Sequence, residues 1–146
     1  GNLYLSSADN GGILLSLESH KGSVRGLSWR SDSKLVASAG DDGRLIWWNA
    51  ETGFVAMQST NAHAPTRPEG YSGKLQGGAL SVQFRKDGGV VSSGRDNRVK
   101  VWRASNNQTG SLVLDKGIPI QAAVDYSDKK VVIGDTLGII RFWQPK

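Results

Sequence analysis

The sequence predicts an all-β protein built from repeated antiparallel sheets, and three similar stretches support that prediction. Residues 35–49 (LVASAGDDGRLIWWN) contain a strand, a tight polar turn and a second strand. Residues 90–103 (VVSSGRDNRVKVWR) repeat this order, and residues 131–144 (VVIGDTLGIIRFWQ) repeat it more loosely. A repeat of about 40 to 45 residues, with a Trp closing one strand per unit, is typical of β-propeller blades. We therefore predict a β-propeller of four-stranded blades.

The strands of this predicted fold are taken from apolar and polar alternation between turn residues. The pattern requires no helix. In chain order it predicts strands in groups of two, four, four and three, or cd, abcd, abcd and abc in blade notation. The run VRGLSW at residues 24–29 is apolar on both faces, which predicts burial on both faces. The expected units are a half blade at 1–18, a blade at 19–60, a blade at 61–115 and a three-stranded partial blade at 116–146.

About three blades cannot close a ring, since propellers have at least about four. The predicted propeller is therefore partial. Apolar sheet faces that have no neighbour to stack against would be exposed to water. We expect another chain or segment to complete a larger propeller.

A long insertion interrupts the entrance to the second complete unit. Trp48 and Trp102 are 54 residues apart, whereas Trp102 and Trp143 are 41 apart. Most of the difference falls in residues 64–77, which are rich in Pro, Gly and polar residues. A long loop in a tight repeat is either functional or a tolerated surface feature. The sequence leaves both interpretations open.

Composition excludes several classes of chemistry. The 146 residues carry no Cys, so the chain has no disulfide, thiolate metal site or covalent haem attachment of its own. The two His residues lie in separate inter-strand connections, so no metal site and no cofactor is expected. No apolar run approaches the roughly 20 residues of a membrane span. The net charge of +5 is spread along the chain, which does not favour nucleic-acid binding. Alternation at Arg98 and Lys100 favours an exposed strand over an anion-binding surface.

The two complete units share four polar and aromatic residues at matching places. The first has His20, Ser38, Asp42 and Trp48, and the second has His63, Ser92, Asp96 and Trp102. This pattern resembles the WD40 repeat of β-transducin-type propellers, over nearly the whole chain. The resemblance implies that each set forms a structural hydrogen-bonded tetrad.

The end units depart from that pattern. Ile133 and Leu137 stand where the last unit would need Ser and Asp, so only Trp143 remains. Ser6 occupies the Trp place of the opening half blade. The last unit is therefore expected to lack a tetrad.

Three residue types of the first complete unit also match a hydrolase triad. In that interpretation Ser38 is the nucleophile, His20 is the base and Asp42 is the partner of His20. The sequence favours the structural interpretation, because Ser38 is expected inside a buried strand. A buried Asp requires charge-assisted hydrogen bonds, which an imidazole and turn amides can supply. We therefore expect no catalytic residues and no enzyme activity.

A narrower resemblance rests on three stretches of the sequence taken in order, namely SWRSDSKLVASAGDDG, VVSSGRDNRVKVW and VVIGDTLGIIRFW. It is similar to the later blades of bacterial WD40 propellers fused to c-type haem domains in planctomycete-type proteins. This similarity implies a periplasmic or cell-envelope setting, with any haem on another domain or chain. It supports an alternative role as an accessory domain of a redox enzyme.

The leading prediction is a non-enzymatic protein–protein interaction scaffold. The resemblance to WD40 propellers implies that the loops before the first strand of each blade and the turns that contain Asp lie on one face of the rim. This face commonly contacts protein partners in that family. Tyr and Arg are favoured anchors at such interfaces. The expected partner-binding residues are Lys21, Asp41, Arg67, Tyr71, Lys74, Arg95 and Thr136. The identity of the partner, the number of blades, the compartment and the process served are left open.

Overall fold

The structure, a computed structural model, describes residues 1–65 and 77–145. Within these residues the chain forms thirteen β-strands and no helix. No helix in these two stretches has the length and apolar character needed to cross a membrane. The strands are β1 Asn2–Ser6, β2 Ile13–Glu18, β3 Val24–Trp29, β4 Leu35–Gly40, β5 Leu45–Asn49, β6 Val55–Ser59, β7 Ala79–Phe84, β8 Val90–Gly94, β9 Arg98–Trp102, β10 Gln108–Val113, β11 Pro119–Val124, β12 Val131–Asp135 and β13 Ile140–Trp143.

These strands form four antiparallel sheets, each a meander of sequential strands. We name them the N-terminal sheet (β1–β2), the first full sheet (β3–β6), the second full sheet (β7–β10) and the C-terminal sheet (β11–β13). No pairing among the described residues joins the sheets into a closed ring. The all-β class and the open arrangement of four-stranded antiparallel sheets, predicted from the sequence, are confirmed.

The hairpin of β4 and β5 shows how the sequence pattern produces the stacking. Ser38 pairs with Ile46, and Val36 pairs with Trp48. Because side chains alternate across a strand, Val36, Ile46 and Trp48 pack towards the N-terminal sheet. The neighbouring positions pack towards the second full sheet, and they include Ala37 and Trp47. Both faces are buried, which explains the almost continuous apolar runs in these strands.

A third cluster joins the second full sheet to the C-terminal sheet. Val91, Val99 and Val101 pack there against Ala122 and Ile133. Each pair of successive sheets therefore shares one apolar core, as expected for stacked blades.

Exposed apolar side chains mark the parts of the sheets that have no cover among the described residues. On the C-terminal sheet, Ile140 is 68 % exposed and Phe142 is 79 % exposed. On β3, Leu27 and Trp29 are 58 % and 53 % exposed. The expectation that β3 is buried on both faces is therefore wrong in this structure. The two strands of the N-terminal sheet pack on Val36, Trp48 and Val24, the first residue of β3, but leave Leu27 and Trp29 exposed.

Candidate functional site

The first full sheet holds four of the predicted site residues in one hydrogen-bonded chain. Trp48 Nε1 donates to Ser38 Oγ at 2.8 Å, and Ser38 Oγ lies 2.7 Å from His20 Nε2. His20 Nδ1 lies 3.0 Å from both carboxylate oxygens of Asp42. Strands β4 and β5 supply Ser38 and Trp48, while His20 precedes β3 and Asp42 lies in the β4–β5 turn. The chain of bonds thus ties the entry loop of the sheet to its central hairpin.

A neutral His20 with its proton on Nδ1 satisfies every member of this chain. Nδ1–H then donates to Asp42, and Nε2 accepts the proton of the Ser38 hydroxyl. Burial lowers the pKa of His20, and the opposing effect of Asp42 does not restore it. Burial raises the pKa of Asp42, but the amide of Lys21, the His20 ring and the amide of Arg44 outweigh burial and lower it overall. At neutral pH the pair is an ionised carboxylate beside a neutral imidazole.

The second full sheet repeats this geometry. Trp102 Nε1 donates to Ser92 Oγ at 2.8 Å, Ser92 Oγ lies 2.8 Å from His63 Nε2, and His63 Nδ1 lies 2.7 Å from Asp96 Oδ1. Lys100 Nζ adds an ion pair to Asp96 Oδ2 at 3.2 Å. Burial lowers the pKa of His63, and Asp96 counteracts it only in part. The pKa of Asp96 is raised by burial and lowered more strongly by His63 and Lys100.

Glycine makes room for each imidazole. A Cβ atom at Gly40 would lie 2.5 Å from His20 Nδ1, and one at Gly94 would overlap the His63 ring. Neither glycine has a positive φ. The requirement is therefore one of space, since each ring lies directly over the last residue of a strand.

The C-terminal sheet has a different residue at the position of Gly40 and Gly94. Asp135 pairs with the first residue of β11, as Gly40 does with that of β3 and Gly94 with that of β7. A carboxylate thus occupies the place of the glycine, and the residue beneath it, Ile133, is fully buried.

Asp135 takes part in a smaller hydrogen-bonded group. Its Oδ1 accepts from the amides of Leu137 at 2.9 Å and Ile139 at 3.0 Å, and its Oδ2 accepts from Arg141 Nε at 3.2 Å. Burial raises the pKa of Asp135, but these two amides and Arg141 lower it overall. Asp135 and Arg141 are not among the residues predicted from the sequence, although an Asp one place before the turn is a visible signal.

The buried position of each Ser bears on the triad alternative. Ser38 and Ser92 are both fully buried. Each Oγ already bonds to an indole N–H and an imidazole. A Ser nucleophile must reach a substrate carbonyl, and neither hydroxyl faces a cleft. Within the described residues no group of three or more His, Asp or Glu side chains could hold a metal ion.

A charged cluster lies at the turns of the two full sheets. The Asp41 carboxylate bonds to Arg25 Nε at 2.9 Å, to Arg25 Nη2 at 2.6 Å and to Arg95 Nη1 at 2.5 Å. The pKa of Asp41 is lowered, first by the hydrogen bond from Arg25, and Arg95 adds to this effect against the opposing effect of burial. Arg95 thereby connects one sheet to the next. Arg25 was missed from the sequence, where it stands alone as a charge in an apolar run.

The structure distributes the predicted partner-binding residues unevenly. Asp41 and Arg95 are in contact, and the backbone N–H of Lys21 donates to the neighbouring Asp42 carboxylate at 2.8 Å. Thr136 bonds through its backbone and hydroxyl to Ile118, at the entrance of the C-terminal sheet. The remaining predicted residues, Arg67, Tyr71 and Lys74, lie outside the described residues.

Comparison with known proteins places these repeats in a family. The family model "WD domain, G-beta repeat" matches residues 11–49 and 70–103, which together are half of the chain. The chain is 26 % identical to the pre-rRNA-processing protein crb3/ipi3 of Schizosaccharomyces pombe over 99 % of its own length and 33 % of that protein.

Two further relatives show the same level of similarity. The human F-box-like/WD repeat-containing protein TBL1Y is 27 % identical over 73 % of the chain and 20 % of that protein. The ribosome biogenesis protein YTM1 of Meyerozyma guilliermondii is 24 % identical over 80 % of the chain and 24 % of that protein. The chain thus spans a fifth to a third of the length of these relatives.

These relatives are eukaryotic, and they do not support the bacterial and periplasmic predictions. The resemblance to haem-associated propellers stays a prediction. The stacked four-stranded sheets, the matched repeats and the relatives agree on the broader assignment. The chain belongs to the WD40 repeat family.

Proposed function

We propose that this chain is a non-enzymatic protein–protein interaction scaffold. The observation that carries the proposal is the internal use of both His–Asp–Ser sets. Within the two sets, each His, Asp and Ser side chain is hydrogen-bonded to other members of its own set. These bonds fix the turns that carry the half-buried charged residues Asp41 and Arg95, as a rigid binding surface requires.

The proposed partner-binding face consists of the entry loops and the β4–β5, β8–β9 and β12–β13 turns. Among the described residues it carries Lys21, Asp41, Arg95 and Thr136, and the insertion adds Arg67, Tyr71 and Lys74 in sequence. Asp41 is shared by two guanidinium groups, so the local charge is positive. Such a face would suit a partner that presents carboxylates and an aromatic or apolar anchor.

We further propose that the chain is part of a larger propeller. Leu27 and Trp29 at one end and Ile140 and Phe142 at the other lie on faces whose equivalents elsewhere in the chain are buried by a neighbouring sheet. The outer edge of β13 is also unpaired among the described residues. Additional sheets from another chain or segment would cover both faces and remove an aggregation hazard.

Names of the relatives support the scaffold role in general terms. Two of them are named for ribosome biogenesis or pre-rRNA processing. For this chain we propose the scaffold role, without a named process or partner.

The proposal can be tested by quantitative affinity purification with the chain as bait. Removal of residues 65–77 should abolish recovery of the specific partners and leave the fold intact. The two ends of this deletion are adjacent, because Gly78 N donates to the carbonyl of His63 at 3.2 Å. A Lys21→Glu substitution should also reduce recovery. Lys34→Glu is the matched control, because it makes the same charge change in the exposed β3–β4 turn.

Unchanged recovery in both rim variants would contradict the proposed face. Hydrolysis of generic ester or peptide substrates that is lost in Ser38→Ala would contradict the non-enzymatic role. Recovery of a haem-bearing partner, detected by its absorbance, would support the accessory redox role predicted from the narrower resemblance.

A further inference from the structure

A groove lies on the outer circumference, between β2 of the N-terminal sheet and the β5–β6 turn of the first full sheet. It has a volume of about 380 Å³. Unlike the uncovered faces at Trp29 and Phe142, it lies between two sheets that are stacked on each other. Its exposure is therefore independent of any missing blade. Its lining includes Leu15, Ser16, Glu18, Phe54 and Val55.

The apolar residues of this groove are exposed without a structural need. Phe54 is 77 % exposed and Val55 is 40 % exposed. In the first full sheet Val55 pairs with Trp48, and in the second full sheet Gln108 pairs with Trp102. Phe54 and Val55 thus correspond to Asn107 and Gln108. Since the other repeat places two polar residues there, the fold itself does not require the apolar pair.

Strand β6 presents a backbone edge beside these side chains. It is the outermost strand of its sheet, and among residues 1–65 and 77–145 it pairs only with β5. The carbonyl of Gln58 points outwards, because it accepts a hydrogen bond from Asn106 Nδ2 at 2.7 Å. A register shift opposite Trp47 and Trp48 interrupts the alternation of backbone groups at Ala56, so the outward direction is established for Gln58. A peptide in extended conformation could add to this edge next to Phe54.

The negative charge of Glu18 at the groove indicates which kind of partner would bind there. The Glu18 carboxylate accepts hydrogen bonds from Asn2 Nδ2 at 3.3 Å and Ser16 Oγ at 3.2 Å. Within the described stretches no Lys or Arg pairs with it. The guanidinium of Arg44, which bonds to the adjoining Ser19 carbonyl, is directed to Gln58. A carboxylate beside an apolar floor complements a segment with an apolar side chain and a nearby cation.

We propose that this groove binds an extended segment of a partner protein that carries an apolar anchor and a Lys or Arg residue. The anchor packs against Leu15, Phe54 and Val55, and the cation faces Glu18. The backbone of the segment adds to the outer edge of β6. This surface is distinct from the proposed rim face, so the chain would hold two partners or two parts of one partner.

Selection of a random nonapeptide library displayed on phage would test this proposal. The 146-residue chain is the target, and the binding of every enriched peptide is then measured to the double variant F54N/V55Q, which installs the residues of the other repeat. We expect enriched peptides that combine an apolar residue with Lys or Arg. Their affinity should fall about tenfold or more in F54N/V55Q, since the bound peptide would no longer bury the apolar Phe54 side chain. Glu18→Gln should weaken them about threefold at low salt, and less at high salt.

Melting curves of both variants serve as the folding control, and Asn107→Ala serves as the matched substitution in the other repeat. Enriched peptides that bind F54N/V55Q as well as the unaltered chain would overturn the proposal, because they would occupy the open sheet ends. Enrichment of acidic peptides would overturn it as well. Lys21→Glu should leave the affinity of the selected peptides unchanged, which separates this groove from the rim face.

Discussion

The second full sheet and the C-terminal sheet fill the same position with different chemistry. At the end of β8, Gly94 leaves space for the His63 ring, which connects Asp96 to Ser92 and Trp102. At the end of β12 an Asp takes the glycine place, and its own carboxylate ties the turn together. One solution links the entry loop, the turn and two strands. The other links the turn to β12 and, through Arg141, to β13, but the Asp135 carboxylate makes no hydrogen bond to the entry loop among the described residues.

The largest difference in stability is expected between variants that remove the carboxylate of Asp96 and the carboxylate of Asp135. Asp96→Ala leaves Lys100 and His63 without their buried partner, and we expect a loss of about 3–5 kcal/mol in the free energy of unfolding. Asp42→Ala should also lower the melting temperature. Asp135→Ala should cost less than Asp96→Ala, because no histidine loses a partner. Denaturant unfolding of the three variants measures the order, and an unchanged melt for Asp42→Ala would contradict a structural tetrad.

A smaller effect should come from filling the space under the imidazole. Gly94→Ala places a methyl group against the His63 ring, and we expect a loss of about 1–3 kcal/mol in the free energy of unfolding. Gly134→Ala is the control, since a Cβ atom there meets nothing within 4 Å. Thermal unfolding compares the two. Equal melting temperatures would show that the glycine does not serve to seat the ring.

The histidines should also give the two full sheets a pH dependence that the C-terminal sheet lacks. Burial lowers the pKa of His20 and His63 below 6.5 in the folded chain. The unfolded state therefore binds protons first as the pH falls, and this contribution to stability is complete above pH 6.5 and is lost as the pH falls through the folded pKa. Melting temperatures between pH 8 and 5 should decrease towards acid. His20→Gln/His63→Gln should flatten this dependence, and an undiminished slope in that variant would assign it to other groups.

The smallest effect is expected at Arg141. In Arg141→Gln the Asp135 carboxylate retains its two amide donors, so the turn keeps most of its hydrogen bonds. The melting temperature should fall less than in His63→Gln and should show no added pH dependence between 5 and 8. A loss as large as that of His63→Gln would mean that the Arg141 ion pair, rather than the amides, holds the turn.

Much of the fold was readable from local pattern. The period-two alternation and the turn residues predicted the strand groups, because strand direction and hairpin pairing depend on near neighbours in sequence. The burial of β3 was predicted wrongly for the opposite reason. The exposure of Leu27 and Trp29 depends on whether a separate sheet covers them, which the residues of β3 do not encode.

The candidate site was readable only in part. His20, Ser38, Asp42 and Trp48 could be assigned because their spacing repeats in the second unit. Arg25 could not be assigned to the Asp41 cluster, since that contact depends on the register of β3 against β4 and on a residue from the next sheet. Asp135 was overlooked because it stands in the glycine place of the repeat.

By itself the sequence determined the repeat, the strand order and the residue types of two tetrads, since each depends on spacing along the chain. Tertiary structure alone decided which charges meet across sheets, which apolar faces lack cover and where Phe54 lies beside Leu15. These features arise from the stacking of separate sheets. Their contacts join residues that are distant in sequence, and no local period records them.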